Sequence, residues 1–149
     1  MTIDRSTPDL GGLFQELILE HYKRPRNKGS LDHATADVHM NNPVCGDEVH
    51  LYLQLDGDTI TDVRFVGTGC SISQASISMM TEILKGKTID EALALDERFK
   101  EMMHGDEDAA RDKGLRDARA LAGVSRFPAR VKCALLGWNA LEEAVKERA

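Results

Sequence analysis

The sequence predicts an α+β fold in a single domain that takes in residues 1–149, and three observations carry that prediction. A chain of 149 residues has the usual length of one domain and can bury a core without disulfide bonds. Three stretches between residues 36 and 65 alternate apolar and polar residues, which is typical of strands with one buried face. Most of the sequence after residue 70 has helical periodicity, and strands followed by a run of helices indicate an α+β layer arrangement.

A first amphipathic helix is predicted ahead of the strands, from residue 8 to about residue 22. Thr7 and Pro8 have the pattern of an N-cap followed by proline at the first helical position. The apolar residues after them recur at helical spacing, and Pro25 and Gly29 end the pattern.

The three strands are predicted to form an antiparallel meander with one face buried. The apolar members of the alternation are Ala36, Val38 and Met40 in the first, Val49, Leu51, Leu53 and Leu55 in the second, and Val63 and Phe65 in the third. The stretch "DGDT" at 56–59 is a hairpin signal, in which Gly57 can take a positive φ.

Capping-box spacings predict the next two helices. Ser71 and Gln74 predict a helix that begins there and ends at Gly86. Thr88 and Glu91 repeat the spacing and predict a short helix through residue 95.

The remaining sequence is also predicted to be helical. Residues 96–123 carry charges of both signs and are interrupted by Gly105 and Gly114, so we expect one or two solvated helices there. Pro128 stands where a last helix could start. Its predicted buried stripe consists of Val131, Ala134, Leu135, Trp138, Leu141 and Val145.

Charge and hydropathy argue against two classes of partner. The net charge is −6, whereas binding to a nucleic acid needs clustered Lys and Arg, so we expect no nucleic-acid partner. No apolar run approaches the roughly 20 residues that span a bilayer, and the start of the sequence lacks the apolar core of a signal peptide. We therefore expect a cytoplasmic protein that has no membrane partner.

The three cysteines are the candidate functional residues. An odd number of cysteines in a protein expected to be cytoplasmic favours thiol chemistry or metal binding over structural disulfides. In the predicted meander Cys45 follows the first strand and Cys70 follows the third, so both lie at the same end of the sheet as Asp47. Cys133 falls in the first turns of the last helix, and the topology does not place it.

Cys133 is also predicted to lie off the apolar stripe of its helix, in line with Gly137, Ala140 and Ala144. Near a helix N-terminus, unbonded N–H groups and the helix dipole favour a thiolate, and this applies to both Cys70 and Cys133. Three thiolates and one oxygen would complete the tetrahedral set that zinc prefers, and Asp47 is the nearest carboxylate in sequence. The alternative is that the cysteines are small buried apolar residues and that Asp47 caps a turn.

Four stretches of the sequence together resemble the U-type iron–sulfur cluster assembly proteins, a family that includes IscU, SufU and the N-terminal domain of NifU. They are "HYKRPRNKGSL", "NNPVCGDEV", "GTGCSISQASISMMTEILKGKT" and "RVKCALLGWNAL", which follow one another in the family's order. The resemblance covers nearly the whole chain. It implies a SufE/NifU-like α+β fold, with helices packed on one face of a three-stranded antiparallel sheet, and a metal site formed by Cys45, Asp47, Cys70 and Cys133.

The resemblance implies a function in iron–sulfur cluster assembly, in one of two forms. A SufU-like protein is a zinc-bound sulfurtransferase that takes persulfide sulfur from a cysteine desulfurase of the SufS type. Cys45 would then be the acceptor thiol, while Asp47, Cys70 and Cys133 hold the zinc. A thiolate on zinc is deprotonated but quenched, so Cys45 would leave the metal before it attacks.

An IscU-like protein is instead a scaffold that assembles a transient [2Fe–2S] or [4Fe–4S] cluster and passes it to downstream assembly proteins or apo iron–sulfur proteins. A domain with a purely structural zinc is a third possibility, although structural zinc sites more usually come as closely spaced CxxC pairs.

Departures from the IscU pattern favour the SufU-like form. IscU has a histidine immediately before the third cysteine, where this chain has Lys132, and an LPPVK stretch where this chain has "FPARVK". The interval from Cys70 to Cys133 is longer than in IscU by about a helix, and the excess lies within 96–123. Arg130 is a second candidate catalytic residue that could steady an anionic sulfur or contact Asp47, the alternative being a solvated arginine. Lys132 is predicted to be solvated.

Overall fold

The structure, a computed structural model, describes residues 6–43 and 46–147, with side chains from residue 14 onward. Its helices are α1 (Ser6–Lys23), α2 (Ser71–Leu84), α3 (Ile89–Met103), α4 (Glu107–Ala110) and α5 (Pro128–Glu147). Its strands are β1 (Ala36–Asn42), β2 (Asp47–Asp56) and β3 (Thr59–Thr68). Between α4 and α5 lies a 3₁₀ segment, Lys113–Arg126, which is interrupted at Arg116 by a non-helical backbone conformation.

The strands form the predicted antiparallel meander in the order β1-β2-β3. In its register Ala36 lies opposite Leu53 on one side of β2, and Leu51 lies opposite Phe65 on the other. Alternate residues of β2, including Val49, Leu51 and Leu53, are completely buried, whereas those between them face the other side and are partly exposed. The period-two pattern therefore identified the strands and the buried face correctly.

The helices cover the buried face of the sheet. α5 packs against β1 and β2, and α2 packs against α1, α5 and β3. Phe99 of α3 stacks on Trp138 of α5 with ring centroids 4.9 Å apart, and both side chains are completely buried. The predicted α+β architecture, with helices on one face of a three-stranded sheet, is confirmed.

Two of the predicted helix starts are confirmed. α5 begins at Pro128 and the capping box at α3 is present, whereas α1 begins at Ser6, so that the predicted N-cap Thr7 is already helical. In that box the Glu91 N–H donates to Thr88 Oγ1 at 3.1 Å, and the Thr88 N–H donates to Glu91 Oε1 at 2.9 Å. The prediction that α3 ends at residue 95 is wrong, because Phe99 and Met102 extend its buried face to Met103.

Residues 96–123 are not the solvated segment that their charge suggested. Leu115, Ala118 and Leu121 are completely buried, and the 3₁₀ segment packs against α2, α3 and α5. The buried imidazole of His21 also ties this segment to α1, because its Nε2 lies 2.9 Å from Asp117 Oδ2. The charged residues alternate in sequence with these buried apolar residues, which pack the segment against the core.

None of the helices in the described part of the chain is long and apolar enough to cross a bilayer.

Candidate metal centre

Asp47, Cys70 and Cys133 converge beside one end of the sheet. A carboxylate oxygen of Asp47 and the two sulfur atoms lie within 4.8 Å of one another. Asp47 and Cys133 are buried, and Cys70 is half-buried. The predicted neighbourhood of Asp47 and Cys70 is thus present, and Cys133, which the topology did not place, joins them. Cys45, the fourth predicted ligand, lies outside the described residues.

Asp47 and Cys70 are held together by the geometry of the sheet end. Asp47 is the first residue of β2, and Cys70 follows β3 as the N-cap of α2. The backbone N–H of Cys70 donates to Asp47 Oδ1 at 3.0 Å, and the Cys70 thiol lies 3.6 Å from Oδ2. The hydrogen bond to the backbone therefore directs the second carboxylate oxygen towards the sulfur.

The predicted capping box of Ser71 and Gln74 is wrong. Cys70 is the N-cap and makes no side-chain capping bond, and Ser71 is already helical. Ser73 Oγ instead donates to the Cys70 carbonyl at 3.1 Å, and Gln74 Nε2 donates to Ser73 Oγ at 3.2 Å. The polar residues of this turn thus stabilise the main chain at Cys70.

Gly69 lets the main chain pass against Asp47. Its φ is +153°, and a Cβ there would stand 2.8 Å from Asp47 Cγ and 2.7 Å from Ser73 Oγ. Real Cβ atoms essentially never come so close to another heavy atom. Any side chain at this position would therefore require the side chains of Asp47 and Ser73 to shift.

Cys133 reaches the centre from the buried face of α5. The prediction that it lies off the buried stripe is wrong, because Cys133, Gly137, Ala140 and Ala144 are all buried. Predicted members of the stripe such as Val131 and Leu135 are only partly buried. The line of small residues faces the core because α5 crosses closely over α2.

Two contacts bring α5 close to α2. A Cβ at Gly137 would lie 2.6 Å from Ile77 Cγ1, so only glycine permits this approach without a shift. One turn earlier the buried hydroxyl of Ser76 donates to the Ala134 carbonyl at 2.7 Å. The sequence predicted Ser76 on the buried stripe of its helix, but the interpretation missed its hydrogen bond and the reason for Gly137, although the line of small residues with Cys133 was the available signal.

Arg130 and Lys132 lie on the outer side of the same helix. Both are exposed, which confirms the prediction of a solvated Lys132. Arg130 lines a cavity of about 570 Å³ together with Ile72 and Phe127. A role of Arg130 towards an anionic sulfur stays a prediction.

The donor set is chemically suited to a thiophilic metal. Cys70 and Cys133 are not joined by a disulfide, and each can supply a thiolate, while Asp47 supplies a carboxylate oxygen. Thiolates select zinc and iron–sulfur clusters, whereas magnesium and calcium prefer oxygen ligands throughout. Three protein ligands leave one position of a tetrahedral zinc open. The residues present thus fit zinc or iron.

A three-stranded sheet covered by helices on one face, with a buried thiol and carboxylate centre at its end, defines a class of small α+β proteins with a cysteine-rich metal site. The sequence-family model of the NifU-like N-terminal domain matches residues 13–147, and the chain belongs to this family.

Curated relatives within this family carry two kinds of name. The zinc-dependent sulfurtransferase SufU of Bacillus subtilis is 52% identical over 138 residues, which are 92% of each chain. The iron–sulfur cluster assembly scaffold protein IscU of Streptococcus pyogenes is 49% identical over 140 residues, covering 94% of this chain and 87% of the relative.

A solved structure agrees with the fold. The putative iron–sulfur cluster assembly scaffold protein for the SUF system of Fervidobacterium islandicum superposes with a TM-score of 0.80 at 41% identity. The match covers 87% of this chain and 94% of that one. The three-stranded sheet with helices is therefore the family's fold.

Proposed function

We propose that this protein is a zinc-bound sulfur acceptor in iron–sulfur cluster assembly, which works with a cysteine desulfurase of the SufS type in the cytoplasm. The observation that carries the proposal is the convergence of Asp47, Cys70 and Cys133 at the sheet end, and Cys45 precedes Asp47 by two residues in the sequence. The relative named a zinc-dependent sulfurtransferase supports zinc as the metal.

In this proposal Asp47, Cys70 and Cys133 hold the zinc, and Cys45 accepts the sulfur. Zinc, when bound, would keep its cysteine ligands deprotonated. The Cys45 thiolate attacks the outer sulfur of the persulfide on the desulfurase, so a new S–S bond forms at Cys45. The old S–S bond breaks, and the donor cysteine leaves as a thiolate. The exchange needs no oxidant, because one disulfide-type bond replaces another.

The chain supplies orientation and shielding for this exchange. The Cys70 N–H fixes the rotamer of Asp47, since it binds one carboxylate oxygen at 3.0 Å. Burial of Asp47 and Cys133 keeps water away from the inner side of the centre, while Cys70 remains half exposed towards solvent. Arg130, exposed on the first turns of α5, is proposed to attract the anionic persulfide.

A rate measurement tests the acceptor role. We expect the zinc-loaded protein to accelerate cysteine desulfuration by its cognate desulfurase and the variant Cys45→Ser to lose that acceleration while it retains zinc. An undiminished rate with Cys45→Ser would remove Cys45 from the acceptor role. A purely structural zinc predicts instead that loss of a ligand melts the fold and that the desulfurase rate never depends on this protein.

A second candidate function is that of a cluster scaffold, and the similarity to a relative named as such favours it. Here iron and sulfide are the cargo, assembled on the same cysteines and passed to apo iron–sulfur proteins. Anaerobic reconstitution with iron and sulfide distinguishes the two. A stable cluster that moves intact to an apo-ferredoxin would place the scaffold function first.

A further inference from the structure

Two neighbouring cavities form a single groove on the helical side of the protein. One, of about 350 Å³, lies between α1 and the 3₁₀ segment, and the other is the cavity of about 570 Å³ beside Arg130. Phe14 and Ala120 line both cavities, so the two are continuous. We call this surface the arginine-rimmed groove.

The floor of the groove is apolar and partly uncovered. Phe14, Ile18 and Val124 line it, and Phe127 stands at its edge with 57% of its surface exposed. Phe14 is itself 36% exposed. Large apolar side chains left in contact with water along one cleft are typical of a surface that binds another molecule.

The rim of the groove is positive although the protein as a whole is negative. Arg111, Arg116 and Arg119 line one end, and Arg130 lines the other. Within the described residues neither Arg116 nor Arg119 forms a salt bridge, whereas Arg111 pairs with Asp108 at 3.6 Å. The four arginines thus concentrate positive charge at the groove, although the net charge of the chain is −6.

Among the described residues that line the groove, Asp117 is the one acidic residue, and its carboxylate contacts a buried histidine. Its Oδ2 lies 2.9 Å from Nε2 of the buried His21, whose Nδ1 lies 2.8 Å from Ser78 Oγ. This contact holds the 3₁₀ segment on α1 and α2. Arg116, with φ 48° and ψ −128°, precedes Asp117 and donates to the Glu82 carbonyl at 3.4 Å. These two contacts hold the part of the 3₁₀ segment that carries Arg116 and Arg119 against α1 and α2.

We infer that the arginine-rimmed groove binds an acidic surface segment of the cysteine desulfurase, with an apolar side chain of that segment seated on Phe14 and Phe127. The inference rests on the proposed function. Charge complementarity identifies the partner as acidic, because four guanidinium groups surround an apolar floor. The position identifies it as the sulfur donor, because Ile72 and Arg130 extend the groove to the turns that carry Cys70 and Cys133.

The test is a binding titration of the zinc-loaded protein with its cognate desulfurase, by calorimetry at two salt concentrations. For the double variant Arg116→Glu/Arg119→Glu we expect a Kd at least about 10-fold weaker and a smaller salt dependence than for the unmodified protein. For Phe14→Ser we expect a weaker Kd with an unchanged salt dependence. Zinc content and melting temperature, measured in parallel, confirm that each variant is folded.

The matched control is Lys113→Glu/Lys146→Glu, which makes the same change in net charge at two exposed lysines that do not line the groove. We expect its Kd to stay within about twofold of the unmodified protein, because rim charges act locally at physiological salt. Equal weakening by both double variants, or by neither, would overturn the inference, as would the absence of any binding.

The desulfurase rate separates the inference from the proposed function. If binding weakens as expected but the unmodified protein never accelerates the desulfurase, the docking surface stands and the sulfur-acceptor proposal fails. If the protein accelerates the desulfurase and Arg116→Glu/Arg119→Glu binds as well as the unmodified protein, the acceptor proposal stands and the groove is not the docking surface.

Discussion

The backbone N–H of Cys70 donates to the side chain of Asp47 at 3.0 Å, although the two residues are 23 positions apart in the sequence. The bond joins the start of β2 to the N-cap of α2 and orients a carboxylate towards a thiol. Gly69 makes this approach possible, because a Cβ at this position would stand 2.8 Å from Asp47 Cγ.

Substitution of Gly69 by alanine is expected to damage the metal centre. The new Cβ would meet Asp47 and Ser73, and the φ of +153° is unfavourable for any L side chain. We expect a loss of about 1–3 kcal/mol in the free energy of unfolding and a weaker affinity for zinc. The measurements are urea unfolding of the apo protein and competition with a chelating dye.

Gly57→Ala is the matched control, because Gly57 also has a positive φ, of 61°, but a Cβ there meets nothing within 4 Å. It should cost about 1 kcal/mol of stability and leave zinc affinity unchanged. Equal zinc affinity in the two variants would show that Asp47 does not need this close approach.

Substitution of Gly137 by alanine is expected to separate Cys133 from Cys70. The new methyl group would collide with Ile77, so α5 must move away from α2 or Ile77 must shift. We expect zinc affinity to fall and stability to drop by about 1–3 kcal/mol. A second change, Ile77→Ala, removes the colliding atom and should restore part of the zinc affinity although it creates a cavity.

Chelating-dye competition measures this effect too, and Gly123→Ala provides the control, since its Cβ would meet nothing within 4 Å. If Ile77→Ala fails to recover any zinc affinity in the Gly137→Ala background, the two sites are not coupled through this contact.

Removal of zinc is expected to lower the melting temperature of the protein. A ligand that binds only the folded state stabilises it by about 2.7 kcal/mol at a concentration 100 times its Kd. We expect Cys133→Ser to melt at the same temperature with and without zinc, because a serine hydroxyl is a poor ligand for this metal. Calorimetric scans with and without a chelator check this, and a zinc-dependent shift that survives Cys133→Ser would remove Cys133 from the ligand set.

Asp96 is expected to make stability depend on pH. Burial raises the pKa of this carboxyl to about 8, and a hydrogen bond with Glu142 adds to the effect, while Lys100 opposes it. The folded protein thus holds a proton that the unfolded chain releases near the ordinary value of 3.8. The contribution of Asp96 to stability is therefore complete below that value and is lost as the pH rises towards 8.

Asp96→Asn should remove this dependence, because the amide does not titrate. Between about pH 4 and pH 8 we expect the unfolding free energy of the unmodified protein to fall relative to that of the variant, by at least about 1 kcal/mol. Urea unfolding at a series of pH values measures it, with Asp90→Asn at an exposed position of the same helix as the control. If the unfolding free energies of all three proteins changed with pH in the same way, the raised pKa of Asp96 would be contradicted.

The features that the sequence predicted correctly depend on local patterns. Strand alternation, the hairpin at Gly57 and the capping box of Thr88 and Glu91 each involve neighbours in the chain, and each is present. The approach of Cys70 to Asp47 could be predicted from strand order alone. In an antiparallel meander the third strand ends beside the start of the second, so Cys70, which follows β3, lies near Asp47, which begins β2.

The features that it missed depend on contacts between distant elements. Ser71 does not cap α2, because the helix begins one residue earlier than predicted, with Cys70 as its N-cap, and the N–H of Cys70 is bound by Asp47 from another strand. The buried face of α5 includes Cys133 because Gly137 has no side chain and allows Ile77 of α2 to pack closely against it. The spacing of apolar residues in the sequence does not predict this contact. The 3₁₀ segment is buried at its apolar positions although its composition is charged, so average charge was a poor guide to its place in the fold.

The close crossing of α5 over α2 also sets the order in which the metal centre can be completed during synthesis. The ribosome makes the sheet and α2 first, so the nascent chain presents Asp47 and Cys70 well before Cys133 has been added. Until α5 docks, Cys70 lacks the neighbouring sulfur of Cys133. If zinc is held by Asp47, Cys70 and Cys133 as proposed, its tight binding requires that α5 has packed on α2, and zinc loading would be coupled to the completion of folding.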